Sequence, residues 1–197
     1  MACKIFDLYD CDSVVITDPG LKRVINLKPK LVLKSHGRAK NDFKQAKVNI
    51  VERLANLIAV PGHRGKKHKI MTAQSSGKFS RNMRTVLDAF KIIETKTKEN
   101  PVQVLVKAVE QSSPREEVTT IEYGGAKYPQ AVDTSPLRRI NVTLRLIVHG
   151  AYDKTFNKKA KIEEALANEI ILASQGSNDS AAFQKKNEME KQANSAR

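Results

Sequence analysis

Tryptophan is absent from the 197 residues, and aromatic side chains of all kinds make up only 5% of them. Sites built from aromatic cages or long base-stacking platforms are therefore poorly supplied. No run of the chain approaches the roughly eighteen apolar residues that a spanning helix needs, which makes a membrane partner the weaker candidate. The opening MACKIFDLYDCD lacks the basic-then-apolar layout of a secretory leader, so a cytoplasmic chain is expected. Cysteine is scarce too: Cys3 and Cys11 are the only two, and without a leader they read as reduced thiols rather than a disulfide or metal pair.

Catalytic and cofactor-binding patterns are also missing. A P-loop needs glycine five positions before a Gly-Lys pair and Ser or Thr directly after it. At Gly77-Lys78 those places hold Thr72 and Phe79, and at Gly65-Lys66 they hold Val60 and Lys67. His63 and His68 are five apart, which does not stack them on one helix face, and no Cys-x-x-Cys accompanies them, so no metal is expected. No Gly-x-Ser-x-Gly elbow occurs, and neither cysteine has a histidine nearby in sequence. Glu116, Glu117, Glu122 and Asp133 could do acid-base work, but their place in a hairpin favours structural, solvent-facing roles. The expectation is a protein with no catalytic site and no cofactor.

Acids are the remaining shortage. Lys and Arg total 35 against 21 Asp and Glu, for a formal charge of +14 and a pI near 9.8. Such self-repulsion calls for a standing polyanionic partner, with nucleic acid first and an anionic membrane surface second. The shortage is local. From Gly20 to Asn41 there are seven cations and no acid; from Arg53 to Leu87 there are eight, again with none. Those eight are Arg53, Arg64, Lys66, Lys67, Lys69, Lys78, Arg81 and Arg84, and a merely solvated face would mix signs. No carboxylate lies between Asp133 and Asp153 either.

What is present is mostly helical periodicity. Residues 1–40 show no sustained period and break at Asp18-Pro19-Gly20 and Lys28-Pro29. They read as a basic N-terminal extension, either an arm along a phosphate backbone or a solubilising tail. Residues 41–197 read as a helical domain suited to a nucleic-acid partner. Ile50, Leu54, Leu57 and Ile58 share the face of a first helix that stops before Pro61. Met83, Val86, Leu87, Phe90 and Ile93 stripe a second, with Ser80 as its expected cap. Asn100-Pro101 starts a third, with Gln103 placed to reach back as a capping-box partner.

A β-hairpin is expected within 115–134, its strands flanking Gly124-Gly125, where both turn positions can take positive φ. With no third strand to pair, it should project and be held from outside the chain. Ser135-Pro136 opens a fourth long helix. Leu137, Ile140, Leu144, Ile147 and Val148 face its core side, and Arg138, Asn141, Arg145 and His149 lie opposite. A fifth helix carries Ile162, Leu166, Ile170 and Ala173 inward and ends at Gly176. A charged sixth helix follows Asn178.

Blocks such as ENPVQVLV, QAVDTSPLRR and the closing KKNEMEKQANSAR are long and specific, and they resemble the universal small-subunit ribosomal protein seven family, whose eukaryotic type is called small-subunit protein five. The likeness covers about residues 48–197, with residues 1–40 matching poorly. It implies a mainly α, six-helix bundle with one protruding hairpin between the third and fourth helices. It further implies binding to the 3′ major, or head, domain of small-subunit rRNA, where the family nucleates head assembly beside neighbouring ribosomal proteins. The hairpin would approach the exit-site tRNA and the mRNA exit path of a cytosolic ribosome. By position, Lys66 and Lys67 match the basic loop after the first helix, and Gly124, Gly125 and Tyr128 the hairpin tip, with Lys127 beside them. Arg138 and Arg139 match a clamp at the hairpin root, and Arg197 the terminal arginine. With Arg64, Lys69, Lys78, Arg81, Arg84 and Arg145 these make the expected RNA-binding set. A free-standing DNA or mRNA regulator, and an RNA-modifying enzyme, are the competing classes.

Overall fold

The computed structural model describes residues 4–30, 33–35, 42–61 and 75–197. Among these residues there are seven α-helices, one 3-10 segment and one two-stranded sheet. A single-turn helix, α1 (Pro19–Lys22), is followed by the 3-10 segment Asp42–Lys47 and α2 (Ile50–Ile58). Then come α3 (Phe79–Thr97), α4 (Pro101–Ser112), strands β1 (Glu116–Tyr123) and β2 (Ala126–Asp133), α5 (Pro136–Thr155), α6 (Ile162–Ser174) and α7 (Ala181–Ser195). The six longer helices form the expected mainly α bundle, and the hairpin falls between the third and fourth of them.

The centre is α6, which packs against α3, α4, α5 and α7. A helix touched on so many sides must be apolar nearly all round, and Ala165, Leu166, Ala167, Ile170 and Ala173 are all buried. Gly176 follows with φ +66, and Ser177 N donates to Leu172 O at 3.1 Å, so the left-handed turn that only glycine adopts freely closes the helix. One polar residue enters this core. Glu169 is fully buried, takes hydrogen bonds from Ser180 Oγ (2.8 Å) and Ala182 N (3.2 Å), and pairs with Lys154 Nζ at 2.6 Å. It thereby caps α7 and ties it to α5 and α6.

The segment before α2 differs from the expected extension. Ile5, Tyr9, Cys11, Leu21, Ile25 and Leu33 belong to the main core, with the Phe6 and Tyr9 rings edge-on to Phe90 at 6.4 and 5.9 Å. Isolated apolar residues in irregular backbone leave no period to read. Local turns satisfy part of the backbone, as where Ile5 N donates to Tyr9 O and Ile25 N to Leu21 O, both at 2.9 Å, and helix side chains take up further groups of the segment. Gln103 accepts from Val15 N (2.7 Å) and donates to Val15 O (3.0 Å), so it binds this strap instead of closing a capping box. Glu110 accepts from Thr17 N and Asp18 N at 2.6 and 2.9 Å, and Asn100 Nδ2 donates to Asp10 O at 2.6 Å.

Helix starts divide in the same way. Asn100 caps α4 as expected, accepting from Val102 N at 3.0 Å. Ser80 does not cap α3: it lies one residue inside, and the chain enters through the turn at Gly77 (φ +72), where Asn82 Nδ2 donates to Ser75 O at 3.1 Å.

Candidate RNA-binding surface

The hairpin has the expected two-residue turn, with Gly124 and Gly125 at φ +58 and +82 and Tyr123 opposite Ala126. Its root is not left for an outside partner to hold. β1 packs against α7, Arg115 N donates to Glu190 Oε1 at 3.0 Å, and Arg197 pairs with Glu116. Toward the tip Ile121, Tyr123 and Tyr128 share one face by register, and the two tyrosines are 82% and 59% exposed. Lys127, also exposed, stands directly opposite Glu122.

The paired arginines at the hairpin root part company. Arg138 points outward and grips Glu117, with Nε 2.5 Å and Nη2 2.9 Å from its two carboxylate oxygens. Those bonds to Glu117 raise its pKa above the ordinary guanidinium value. Arg139 turns inward, where Nη2 meets Asp18 Oδ2 at 2.8 Å and Ser113 Oγ at 2.9 Å. Burial acts to raise the Asp18 pKa, but the bonds from Arg139 and Gly20 N, with the arginine charge, outweigh it and hold the carboxyl below its usual value. With its side chain only 11% exposed, Arg139 fastens α1 to the start of α5 instead of presenting a second cation to a ligand.

Lys78, Arg81 and Arg84 are exposed on the first turns of α3, and Arg145 is exposed in the middle of α5. Both helices pack against α2 as well as against α4 and α6. Arg64, Lys66, Lys67 and Lys69 lie outside the described residues. Arg197 is exposed and spent on Glu116. Arg53, counted among the cations but given no role by its sequence context, is buried on α2 with one bond to Asn141 Oδ1 at 2.8 Å. Burial pulls its pKa down to about 10. Only a long-range view finds its burial, because within α2 it stands beside another charged residue, Glu52, as on an exposed helix face.

Among the described residues no cluster of three or more His, Cys, Asp or Glu could hold a metal ion, and no helix is long and apolar enough to cross a membrane. Cys11 is buried in the core, and that burial, with the nearby Asp10, pushes its thiol up to about 11, the opposite of an activated nucleophile.

A cationic helical bundle with one protruding hairpin has the build of a module that binds a polyanion. The family described as Ribosomal protein S7p/S5e matches residues 21–197, and the chain belongs to that family, a structural and non-enzymatic one. The match begins well before residue 48, consistent with the strap being part of the fold. A protein of Nanoarchaeum equitans is 48% identical over 198 residues, spanning 100% of both chains, and is named small ribosomal subunit protein uS7. Proteins of the same name from Methanothermobacter thermautotrophicus and Cenarchaeum symbiosum are 46% and 43% identical, each over 98% of this chain and over 98% and 96% of their own.

Proposed function

We propose that this chain is a structural constituent of the small ribosomal subunit, binding the 3′ major domain of its rRNA, nucleating assembly of the head, and working in the cytosol. The observation that carries the reading is family membership together with basic faces on α3 and α5 in stretches that contain no acid. Phosphate contacts by Lys78, Arg81, Arg84, Arg145 and the loop residues Arg64, Lys66, Lys67 and Lys69 dominate affinity, and fit to folded RNA supplies recognition. Arg139 acts by fixing the start of α5, and Arg138 and Arg197 by bracing the hairpin root.

The hairpin is placed beside the exit-site tRNA and mRNA exit path, next to neighbouring small-subunit proteins. Its chemistry differs from that of the bundle. Strands β1 and β2 hold four acids, Glu116, Glu117, Glu122 and Asp133, against the single cation Lys127. Such an arm does not seek phosphate. Gly124 and Gly125 keep the tip slim, and Tyr123 and Tyr128 offer flat rings to bases, riboses or protein side chains.

Sedimentation of a cell lysate through sucrose tests the reading. Nearly all of the protein should travel with small subunits. A large soluble pool would favour a free-standing regulator, and covalent change of RNA by the pure chain would favour an enzyme.

A further inference from the structure

Arg53 is an electrostatic anomaly. It is 7% exposed, yet among the described residues its guanidinium bonds one neutral amide, Asn141 Oδ1 at 2.8 Å, and Nη1 has no hydrogen-bond partner. No ion pair joins it to a carboxylate among the described residues. A buried cation normally demands both a counter-charge and saturated donors, since leaving either unmet is costly. Two other buried charges have a counter-charge: Glu169 has Lys154, and Arg139, although its Nε also lacks a partner, has Asp18. Arg53 lacks both a counter-charge among the described residues and a partner for Nη1.

Its surroundings supply positioning without neutralisation. Asn141 Nδ2 donates to Gln45 Oε1 at 3.1 Å, so the amide that orients Arg53 is itself oriented. The 3-10 segment, α2 and α5 thus converge on one polar junction. Arg145, four residues after Asn141, stands one turn further along the same face of α5 and is exposed. A preorganised donor beside an exposed cation is the arrangement that takes a tetrahedral oxyanion.

We infer that Arg53, oriented by Asn141 and assisted by Arg145, forms a subsite for a single RNA phosphate at the junction of α2 and α5. The subsite rests on the proposed rRNA-binding function and adds a residue to it. RNA supplies the missing counter-charge, and since Nη1 is closed to solvent in the free chain, its bonds to the phosphate form only as the junction opens in the complex. Free chain and complex then respond oppositely to losing the charge, as at sites whose local strain serves a ligand.

The test uses the full chain, a transcript of the 3′ major domain of small-subunit rRNA, and the variants Arg53→Met and Arg53→Lys. Arg53→Met should leave the thermal midpoint of the free protein unchanged or raise it. Its affinity for the transcript should fall about 10- to 100-fold, and the slope of log K against log salt should shrink by about one. Arg53→Lys keeps the charge but cannot serve Asn141 and a phosphate together with a planar fork. It should fold like the wild type and bind at an intermediate level, which covers the case in which the methionine variant does not fold. Wild-type affinity and slope in the lysine variant, or in a folded methionine variant, would overturn the subsite while leaving the function standing. A marked loss of free-chain stability in Arg53→Met, with affinity falling only in proportion, would also overturn it. Failure of the wild-type chain to prefer this transcript over an unrelated folded RNA would overturn the function itself.

Discussion

Arg139 and Asp18 are 121 residues apart in sequence, yet their side chains meet at 2.8 Å, with Ser113 Oγ on the same guanidinium nitrogen. The pair closes a chain of contacts in which Glu110 holds the backbone of Thr17 and Asp18, and Ser113 Oγ reaches Glu110 O at 3.2 Å. The N-terminal strap is thereby fastened where the hairpin root and α5 begin. Removing one partner leaves the other charge largely buried and unpaired, so Asp18→Ala should cost about 2–4 kcal/mol in urea unfolding. A double-mutant cycle with Arg139→Ala should return a coupling of about 1–3 kcal/mol. Additive losses would mean that the two residues act independently.

The same contact sets the acid limb of stability. The Asp18 carboxyl is held below its unfolded value near 4, so its contribution is present above that value and is lost as pH falls through the lower folded one. The stability gap between wild type and Asp18→Asn should therefore narrow steadily as pH falls below about 4. A gap that stays constant would detach Asp18 from the acid response.

Alkali should loosen the other end of the strap. Burial raises Cys11 from 9.0 to about 11, and burial with the Glu94 carboxylate raises Tyr9 from 10.0 to about 12. Both neutral forms are favoured by the fold, so their contribution is intact below pH 9.0 and is lost as pH climbs through about 12. Thermal midpoints should fall over that window, and less steeply in a Tyr9→Phe variant.

At the centre of the bundle, α5 passes so close to α6 and α7 that a Cβ on Gly150 would come 2.8 Å from Ala181 Cβ and 3.1 Å from the Glu169 carboxylate. Gly150→Ala, which on helix propensity alone should stabilise, is expected to destabilise by about 1–3 kcal/mol. A rise in the unfolding midpoint would show that α7 yields at little cost.

At the hairpin tip the expected effects are functional only. Tyr123→Ala with Tyr128→Ala should shift stability by no more than about 0.5 kcal/mol, since both rings are exposed. Small subunits assembled with this variant should bind exit-site tRNA more weakly, by about 1–3 kcal/mol per lost base stack, with an unchanged salt slope. A reduced slope would point to phosphate contacts that the tip chemistry does not provide.

Where structure followed from local rules, it was legible from the residues. Gly124-Gly125 dictates its turn, Asn100-Pro101 its helix start, and Val86, Phe90 and Ile93 their buried face. What escaped depends on partners far away in sequence. Ile5, Leu21 and Ile25 are core residues without a period, made possible by Gln103 and Glu110 completing their segment's backbone. Arg138 and Arg139 are neighbours of identical chemistry, and nothing local says that one will find Glu117 outside and the other Asp18 within. Arg53 was visible as charge but not as buried charge, because its burial is a property of α2 packing between α3 and α5.

The most direct measurement of the central claim is the affinity of the purified chain for the isolated 3′ major domain of small-subunit rRNA across a salt series. The account predicts tight binding, a clear preference over an unrelated folded RNA of equal length, and a steep fall with salt that reports several neutralised phosphates. Equal affinity for both RNAs, or binding indifferent to salt, would contradict it.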